Sequence, residues 1–98
     1  MTNYIRYVDC DVSGWVLSSL AENGWYYKEA NCNVNVPTNA LVIGMQWGRI
    51  WEGGVFPIKA IVLSTGADAG KIRLVLISNT STTIHSENRA IRCYYFVP

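Results

Sequence analysis

The chain has 98 residues, 50% of them hydrophobic and 15% charged, and eight Lys and Arg stand against seven Asp and Glu for a formal net charge of +1. A folded chain of this length buries roughly two-thirds of the surface that its unfolded form exposes. The high hydrophobic and low charged fractions exclude a disordered protein. Because the charges are scattered singly, the sequence also argues against a nucleic-acid partner. We therefore expect one folded domain over residues 1–98.

The chain reads as a succession of short strands. Runs rich in Val, Ile, Tyr, Trp and Thr alternate with Gly, Asn, Ser and Pro at the interval typical of an all-β sandwich or barrel. Apolar spacing of the helical kind is absent from the sequence. In chain order, the pattern predicts strands at 4–8, 14–18, 25–30, 40–47, 56–64, 72–78, 82–86 and 90–97. The fold class that we expect is an all-β, antiparallel β-sandwich resembling a jelly roll.

Glycine and asparagine mark the connections between these strands. Asn23-Gly24 predicts a hairpin turn, because both residues tolerate positive φ. Gly53-Gly54 predicts a second turn, and residues 64–70 predict a loop long enough to be mobile. Residues 79–81 are expected to close another hairpin. The amino-terminal residues contain no long apolar run, so we expect neither a secretory signal nor insertion into a membrane.

Several predicted strands are apolar on both faces. Ile72, Leu74 and Leu76 alternate with Val75 and Ile77. The same holds for strand 90–97, where Ile91, Cys93, Tyr95 and Val97 oppose Arg92, Tyr94 and Phe96, and for strand 40–47, where Leu41, Ile43, Met45 and Trp47 oppose Val42, Gly44 and Gln46.

A two-layer domain has no third layer to cover the second faces. Each large apolar side chain left in water forfeits about 1.5–3 kcal/mol, and a contiguous patch of them would aggregate. A second copy of the chain in a cyclic homotrimer would cover them, and the predicted interface consists of Val75, Ile77, Tyr94 and Phe96. A thick single-chain core with these strands at its centre is the alternative.

Residues that do chemistry are few. Cys10, Cys32 and Cys93 are odd in number and widely spaced, which indicates reduced, semi-buried thiols and neither a disulfide framework nor a zinc site. His85 is the one histidine, and Glu87 shares its strand face. A dyad with a serine, or a metal held by three copies of His85 on a trimer axis, would need this residue, but a lone histidine at a polar strand end is more often a satisfied side chain. We expect no enzyme activity, no cofactor and no metal.

Aromatic residues are the remaining candidates for function. Trp15 and Trp25 are expected to fill the interior. Trp47 and Trp51 bracket a short loop next to Glu52, and an exposed aromatic ring beside charged groups is typical of a recognition surface. The predicted ligand-binding residues are Trp47, Arg49, Trp51 and Glu52.

Two segments resemble a known family. Val12-Ser13-Gly14-Trp15-Val16-Leu17-Ser18-Ser19, followed by Asn23-Gly24-Trp25-Tyr26-Tyr27-Lys28, resembles the opening of small β-sandwich modules at the ends of bacteriophage tail fibres and baseplate appendages. Arg92-Cys93-Tyr94-Tyr95-Phe96-Val97 is similar to the strand that closes such modules. The resemblance spans the first third and the last tenth of the chain, and no binding residue is carried over, because these modules share a scaffold and vary at their loops.

The resemblance implies a homotrimeric, distal receptor-binding domain of a virion appendage, made in the bacterial cytoplasm, that attaches to a host-surface glycan or protein. Three other functions stay open. The alternatives are a structural virion or assembly protein with no ligand of its own, a small monomeric inhibitor or host-takeover factor, and a hydrolase that uses His85.

Overall fold

The computed structural model describes residues 5–48 and 50–98. Within these two ranges the chain forms nine strands and no helix, so the all-β prediction is confirmed. The strands are β1 (Arg6–Asp11), β2 (Val16–Leu17), β3 (Ser19–Leu20), β4 (Tyr26–Cys32), β5 (Leu41–Trp47), β6 (Val55–Val62), β7 (Ile72–Ser78), β8 (Thr82–Thr83) and β9 (Ala90–Phe96). No helix among the described residues is long and apolar enough to cross a membrane.

The strands of the described residues pair into three antiparallel sheets. A three-stranded sheet has the order β1-β9-β5, and a four-stranded sheet has the order β3-β4-β7-β6. The short strands β2 and β8 pair with each other as a two-stranded ribbon. The first and last strands of the chain are therefore neighbours in one sheet.

The two larger sheets contribute to one core. Strand β7 alternates strictly between buried and half-buried residues, as a period of two requires. The buried cluster includes Leu74 and Leu76 from β7, Ile91 and Cys93 from β9, and Leu17 from the ribbon. The inward faces of both sheets are therefore shielded from water by the chain itself, whereas their outward faces are not.

Two bulges change the faces that the sequence predicts. The register shifts between Val42 and Gly44 in β5, so Ile43 is the extra residue of that strand. Because an extra residue reverses the alternation of faces, Leu41 and Ile43 point to solvent, 51% and 49% exposed, whereas Met45 and Trp47 pack on the core. The expectation that these four share one face was wrong. A second shift in β6, between Pro57 and Lys59, makes Ile58 extra.

The predicted turns have mixed outcomes. Asn23-Gly24 does join a hairpin of β3 and β4, with Leu20 opposite Tyr26 and Gly24 at a φ of 85°. Residues 79–81 do not close a hairpin, because β7 already has β4 and β6 on its two edges, and β8 pairs with β2 instead. Likewise, only Val16–Leu17 (β2) of the predicted strand at 14–18 is a strand, and β3 begins beyond it at Ser19 in a different sheet.

The loop at 64–70 is anchored to the segment before β5. The backbone amide of Val36 donates to the carbonyl oxygen of Gly70 at 2.9 Å. Gly70 has a φ of 90°, and a Cβ atom at this position would lie 2.9 Å from the carbonyl oxygen of Val36. Only glycine fits both the backbone conformation and the close approach.

Candidate functional site

The outward face of the four-stranded sheet is apolar at one end. Cross-strand register places Tyr27 of β4, Ile77 of β7 and Phe56 of β6 in one row. Val75 lies two residues before Ile77 on the same face of β7, and the bulge residue Ile58 lies beside it. Phe56 and Ile58 are 51% and 53% exposed. We call these five residues the apolar face.

A groove of about 490 Å³ runs along the apolar face. The β3–β4 hairpin forms one wall of the groove with Leu20 and Trp25, and Leu20 is 62% exposed. Ile58, Val75 and Ile77 line the groove from the other strands. Large apolar side chains of three strands and a turn are thus contiguous and open to solvent.

The other end of the same sheet face is polar. Arg73 donates from Nε to Glu29 Oε2 at 3.0 Å and from Nη1 to Asn31 Oδ1 at 3.1 Å. Asn31 in turn donates to Asp68 Oδ2 at 2.9 Å. These groups have partners within the chain, whereas the exposed side chains of the apolar face have no covering layer among the described residues.

The four predicted interface residues lie on two different sheets. Val75 and Ile77 belong to the apolar face of the four-stranded sheet. Tyr94 and Phe96 are half-buried on the outward side of β9, in the three-stranded sheet. The structure therefore offers two separate surfaces where the sequence predicts one interface, and the participation of these residues in an oligomer stays a prediction.

The four predicted ligand-binding residues have different surroundings. The indole nitrogen of Trp47 donates to the carbonyl oxygen of Val55 at 3.2 Å, and the ring packs on the core. Glu52 Oε1 accepts from the backbone amide of His85 at 3.0 Å and lies 3.4 Å from the Nε of Arg89. Trp51 is 67% exposed. Arg49 lies outside the described residues, so Trp51 is the member of the set that offers an open ring.

The three cysteines meet in the core, although they are far apart in the sequence. The Sγ atoms of Cys10 and Cys93 are 3.8 Å apart, and all three cysteines are buried free thiols. A hydrogen bond with Cys32, together with burial, raises the pKa of Cys10 to about 12. A hydrogen bond with Cys10 and burial also raise the pKa of Cys93. Because a protonated thiol is a poor nucleophile and a poor metal ligand, Cys10 and Cys93 serve packing.

His85 is exposed next to the turn that contains Glu52. No group of three or more His, Cys, Asp or Glu side chains within residues 5–48 and 50–98 is placed to hold a metal ion.

The outward face of the three-stranded sheet combines tyrosines with paired polar groups. Arg92 donates from Nε and Nη2 to the two carboxylate oxygens of Asp9 at 2.8 and 3.1 Å, and this bond raises the pKa of Arg92. Its guanidinium lies 4.1 Å from the ring centroid of Tyr7, and the rings of Tyr7 and Tyr94 meet edge to face at 6.0 Å. The Tyr94 hydroxyl accepts from Gln46 Nε2 at 3.0 Å. We call these five residues the aromatic-polar face.

A polar groove of about 320 Å³ continues from the aromatic-polar face. Asp9 belongs to both, and Asp11, Ser13 and Arg89 are among the other lining residues. Asp11 Oδ1 accepts from the Ser13 amide at 2.9 Å, and the Ser13 hydroxyl accepts from the Arg89 amide at 3.0 Å. Hydrogen bonds of the chain therefore fix the walls of this groove.

Sequence analysis did not identify the aromatic-polar face. A usable signal is the alternation of Tyr7, Asp9 and Asp11 on one side of β1, opposite the buried Cys10. The same alternation places Arg92 on the outward side of β9, but only strand pairing shows that the two sets are adjacent.

Comparison of the chain with protein-family models, curated proteins and solved structures found no match.

Proposed function

We propose that this chain is a non-catalytic binding and assembly module, namely the distal receptor-binding domain of a phage tail fibre or a similar virion appendage. In this proposal the domain is a jelly-roll-like β-sandwich that assembles as a homotrimer and attaches to a glycan or protein on the host cell. The observation on which the proposal rests is the uncovered apolar face. The resemblance of residues 12–28 and 92–97 to tail-fibre modules supplies the biological setting.

Burial of the apolar face against another chain is favourable. Phe56 and Ile58 are each about half exposed, next to the groove that contains Leu20. Complete burial of a side chain of this size is worth about 1.5–3 kcal/mol relative to full exposure, so each half-exposed residue has a part of that to gain. Contiguous apolar patches of this kind mark protein interfaces on soluble domains.

A ring of three copies fits the presence of two separate outward surfaces. An interface in a cyclic trimer is heterologous, which means that two different patches of the chain meet. The apolar face, with Val75 and Ile77, would supply one patch. The outward end of β9 at Phe96, with the exposed Leu41 opposite it on β5, would supply the other, which leaves Tyr7, Asp9 and Arg92 of the same sheet open. Closure of the ring leaves neither patch open.

Recognition of the host requires a surface outside the interface. Trp51 is 67% exposed and lies between β5 and β6. Tryptophan is enriched among the residues that dominate binding energy at protein interfaces. Trp51 is therefore the side chain that we assign to contact with the host receptor, with Glu52 held beside it by Arg89.

A matched pair of substitutions tests the assembly. Ile58 and Ile61 are outward-facing isoleucines of β6, with 53% and 42% exposure, and only Ile58 lines the apolar groove. We expect Ile58→Lys to reduce the mass measured by light scattering to that of one 11.0 kDa chain, and Ile61→Lys to retain the mass of the unmodified protein. A buried lysine without a partner disfavours the interface, whereas an exposed one does not.

Circular dichroism of both variants would show that each remains folded. Equal masses for Ile58→Lys and the unmodified chain would contradict the assignment of the apolar face to the interface.

A second pair tests recognition. Trp51→Ala should weaken binding of the labelled protein to host cells at least about tenfold, as expected for a residue that dominates an interface. Val16→Ala, which removes another exposed apolar side chain and lies in the two-stranded ribbon outside both patches, should leave binding unchanged. Retained binding by Trp51→Ala would show that another surface contacts the receptor. Assembly without any binding to cells would instead favour a structural virion protein.

A further inference from the structure

We infer that the aromatic-polar face and the adjoining polar groove form a binding site for a neutral saccharide. This inference rests on the proposed function in one respect, since it takes the chain to be a binding module, but it places the ligand on the outward face of the three-stranded sheet and not on the Trp51 ring.

The tyrosines provide an aromatic surface for a sugar ring. Tyr7 is 54% exposed, although the Arg92 guanidinium covers part of its ring at 4.1 Å from the centroid. The edge-to-face contact with Tyr94 fixes the orientation of the pair. Aromatic side chains combine an apolar face with a polar tip, which suits a ligand whose C–H groups and hydroxyls alternate.

Planar polar groups surround these rings. A guanidinium has five N–H donors, and Arg92 uses two of them on Asp9. Gln46 donates one amide hydrogen to Tyr94 and has a second donor and a carbonyl acceptor in addition. Neighbouring hydroxyls of a saccharide both donate and accept, so they match this mixture. Because internal bonds already hold the side chains in place, little conformational entropy is lost when a ligand binds.

Gly44 of β5 leaves space for a ligand beside Tyr94. A Cβ atom at Gly44 would lie 4.0 Å from the Tyr94 ring, so the absence of a side chain there keeps that edge of the ring open next to Gln46. The space beside Gly48, just after β5, is already occupied by Asp9, whose Oδ1 would lie 3.1 Å from a Cβ atom at that position. The adjoining groove of about 320 Å³ lies at the lower end of the roughly 300–1,000 Å³ that small-molecule sites occupy.

The charge of the site favours a neutral ligand over an acidic one. Asp9 and Asp11 contribute two carboxylates, whereas the aromatic-polar face contributes the single cation Arg92. The second cation at the groove, Arg89, is paired with Glu52. An acidic sugar would add a further negative charge at close range, which Coulomb repulsion opposes.

Titration of the isotopically labelled protein by NMR tests the inference. The probes are glucose, galactose, mannose and N-acetylglucosamine, each added singly, with glucuronic acid as the anionic control. We expect at least one neutral sugar to shift the backbone amide signals of Tyr7, Gln46 and Arg92, and glucuronic acid to shift them at least about tenfold less at equal concentration. No shift at these positions with any of the four neutral sugars would overturn the inference.

Three variants connect those shifts to the site. Tyr7→Leu should weaken sugar binding at least about tenfold, because the ring is lost, and Tyr7→Phe should retain binding, because the ring stays. Gln46→Ala should also weaken binding. Trp51→Ala should have no effect on it. Loss of sugar binding in Trp51→Ala together with full binding in Gln46→Ala would place the sugar elsewhere and refute the inference.

The readouts keep this inference separate from the proposed function. A protein that assembles and binds host cells, but shifts with no neutral sugar, refutes the saccharide site and leaves the proposed function intact. A monomer that binds a sugar at this face supports the site and contradicts the proposed trimer.

Discussion

Gly70 is the glycine at which an added methyl group should lower the free energy of unfolding the most. Its φ of 90° lies in the region that residues other than glycine rarely adopt, and an added Cβ would approach the carbonyl oxygen of Val36 to 2.9 Å. Gly66, in the same loop, has a φ of 87° and no atom within 4 Å of the corresponding Cβ position. The pair therefore separates backbone strain from steric conflict.

The magnitude follows from these two contributions. A left-handed backbone conformation costs an L-residue about 1–2 kcal/mol, which is the full loss expected for Gly66→Ala. Gly70→Ala adds the cost of moving packed backbone atoms apart, about 1–3 kcal/mol by analogy with overpacked cores. The same movement stretches the hydrogen bond from the Val36 amide to Gly70, which is 2.9 Å long. We expect Gly70→Ala to lower the free energy of unfolding by about 2–5 kcal/mol in total.

Urea denaturation of the two variants at one fixed protein concentration is the appropriate assay, because an oligomer's apparent stability depends on concentration. With a slope of about 1–3 kcal/mol/M, the transition midpoint of Gly70→Ala should lie roughly 1 M below that of Gly66→Ala. Coincident midpoints for the two variants would refute the close packing of the 64–70 loop against Val36.

Three further changes test other parts of the structure. Leu74→Ala should lower the free energy of unfolding by about 2–5 kcal/mol in the same assay, because it leaves a cavity at a fully buried position. Trp47→Phe should cost about 0.5–1.5 kcal/mol more than Trp51→Phe, since only Trp47 donates a hydrogen bond within the chain, to the carbonyl oxygen of Val55. The stability of the protein should fall as the pH rises from 9.0 to about 12, because Cys10 and Cys93 stay protonated in the fold while the unfolded thiols ionise. The fall should be shallower in a Cys10→Ala variant, which keeps only Cys93 of this pair, and a fall as steep as that of the unmodified protein would contradict the contribution of Cys10.

The position of a strand could be predicted from the local sequence wherever inward-facing and outward-facing residues alternate without interruption. Strand β7 runs from Ile72 to Ser78, as the alternation of apolar residues predicts, because no glycine, proline or bulge disturbs it. In strand β5, by contrast, the local sequence does not predict which residues face the core. The bulge at Ile43 turns Leu41 to solvent and Trp47 towards the core, and no local feature of the sequence requires a bulge there.

The pairing of strands is the second feature that the local sequence does not predict. A turn such as residues 79–81 specifies a change of direction, but the strand that follows it pairs wherever an edge is free. Since β7 is flanked on both sides, β8 pairs with β2 in another sheet. The predicted hairpin at Asn23-Gly24 forms because β7 occupies only one edge of β4, and the other edge is available to β3.

The candidate sites depend on contacts between distant parts of the chain. Tyr7 and Asp9 lie near one end of the sequence, and Arg92 and Tyr94 lie near the other end. Antiparallel pairing of β1 with β9 places them in one surface. Composition alone shows neither this juxtaposition nor the meeting of the three cysteines in the core. Trp51, by contrast, was recognisable from local sequence as an aromatic residue in a turn.

The molar mass of the unmodified protein in solution tests the central claim most directly, because the apolar face is proposed to need a second and a third copy of the chain. Light scattering over a micromolar concentration series should give three times the mass of the 11.0 kDa chain. A constant mass equal to that of one chain throughout the series would contradict the proposed trimer and remove the physical basis of the fibre-tip assignment.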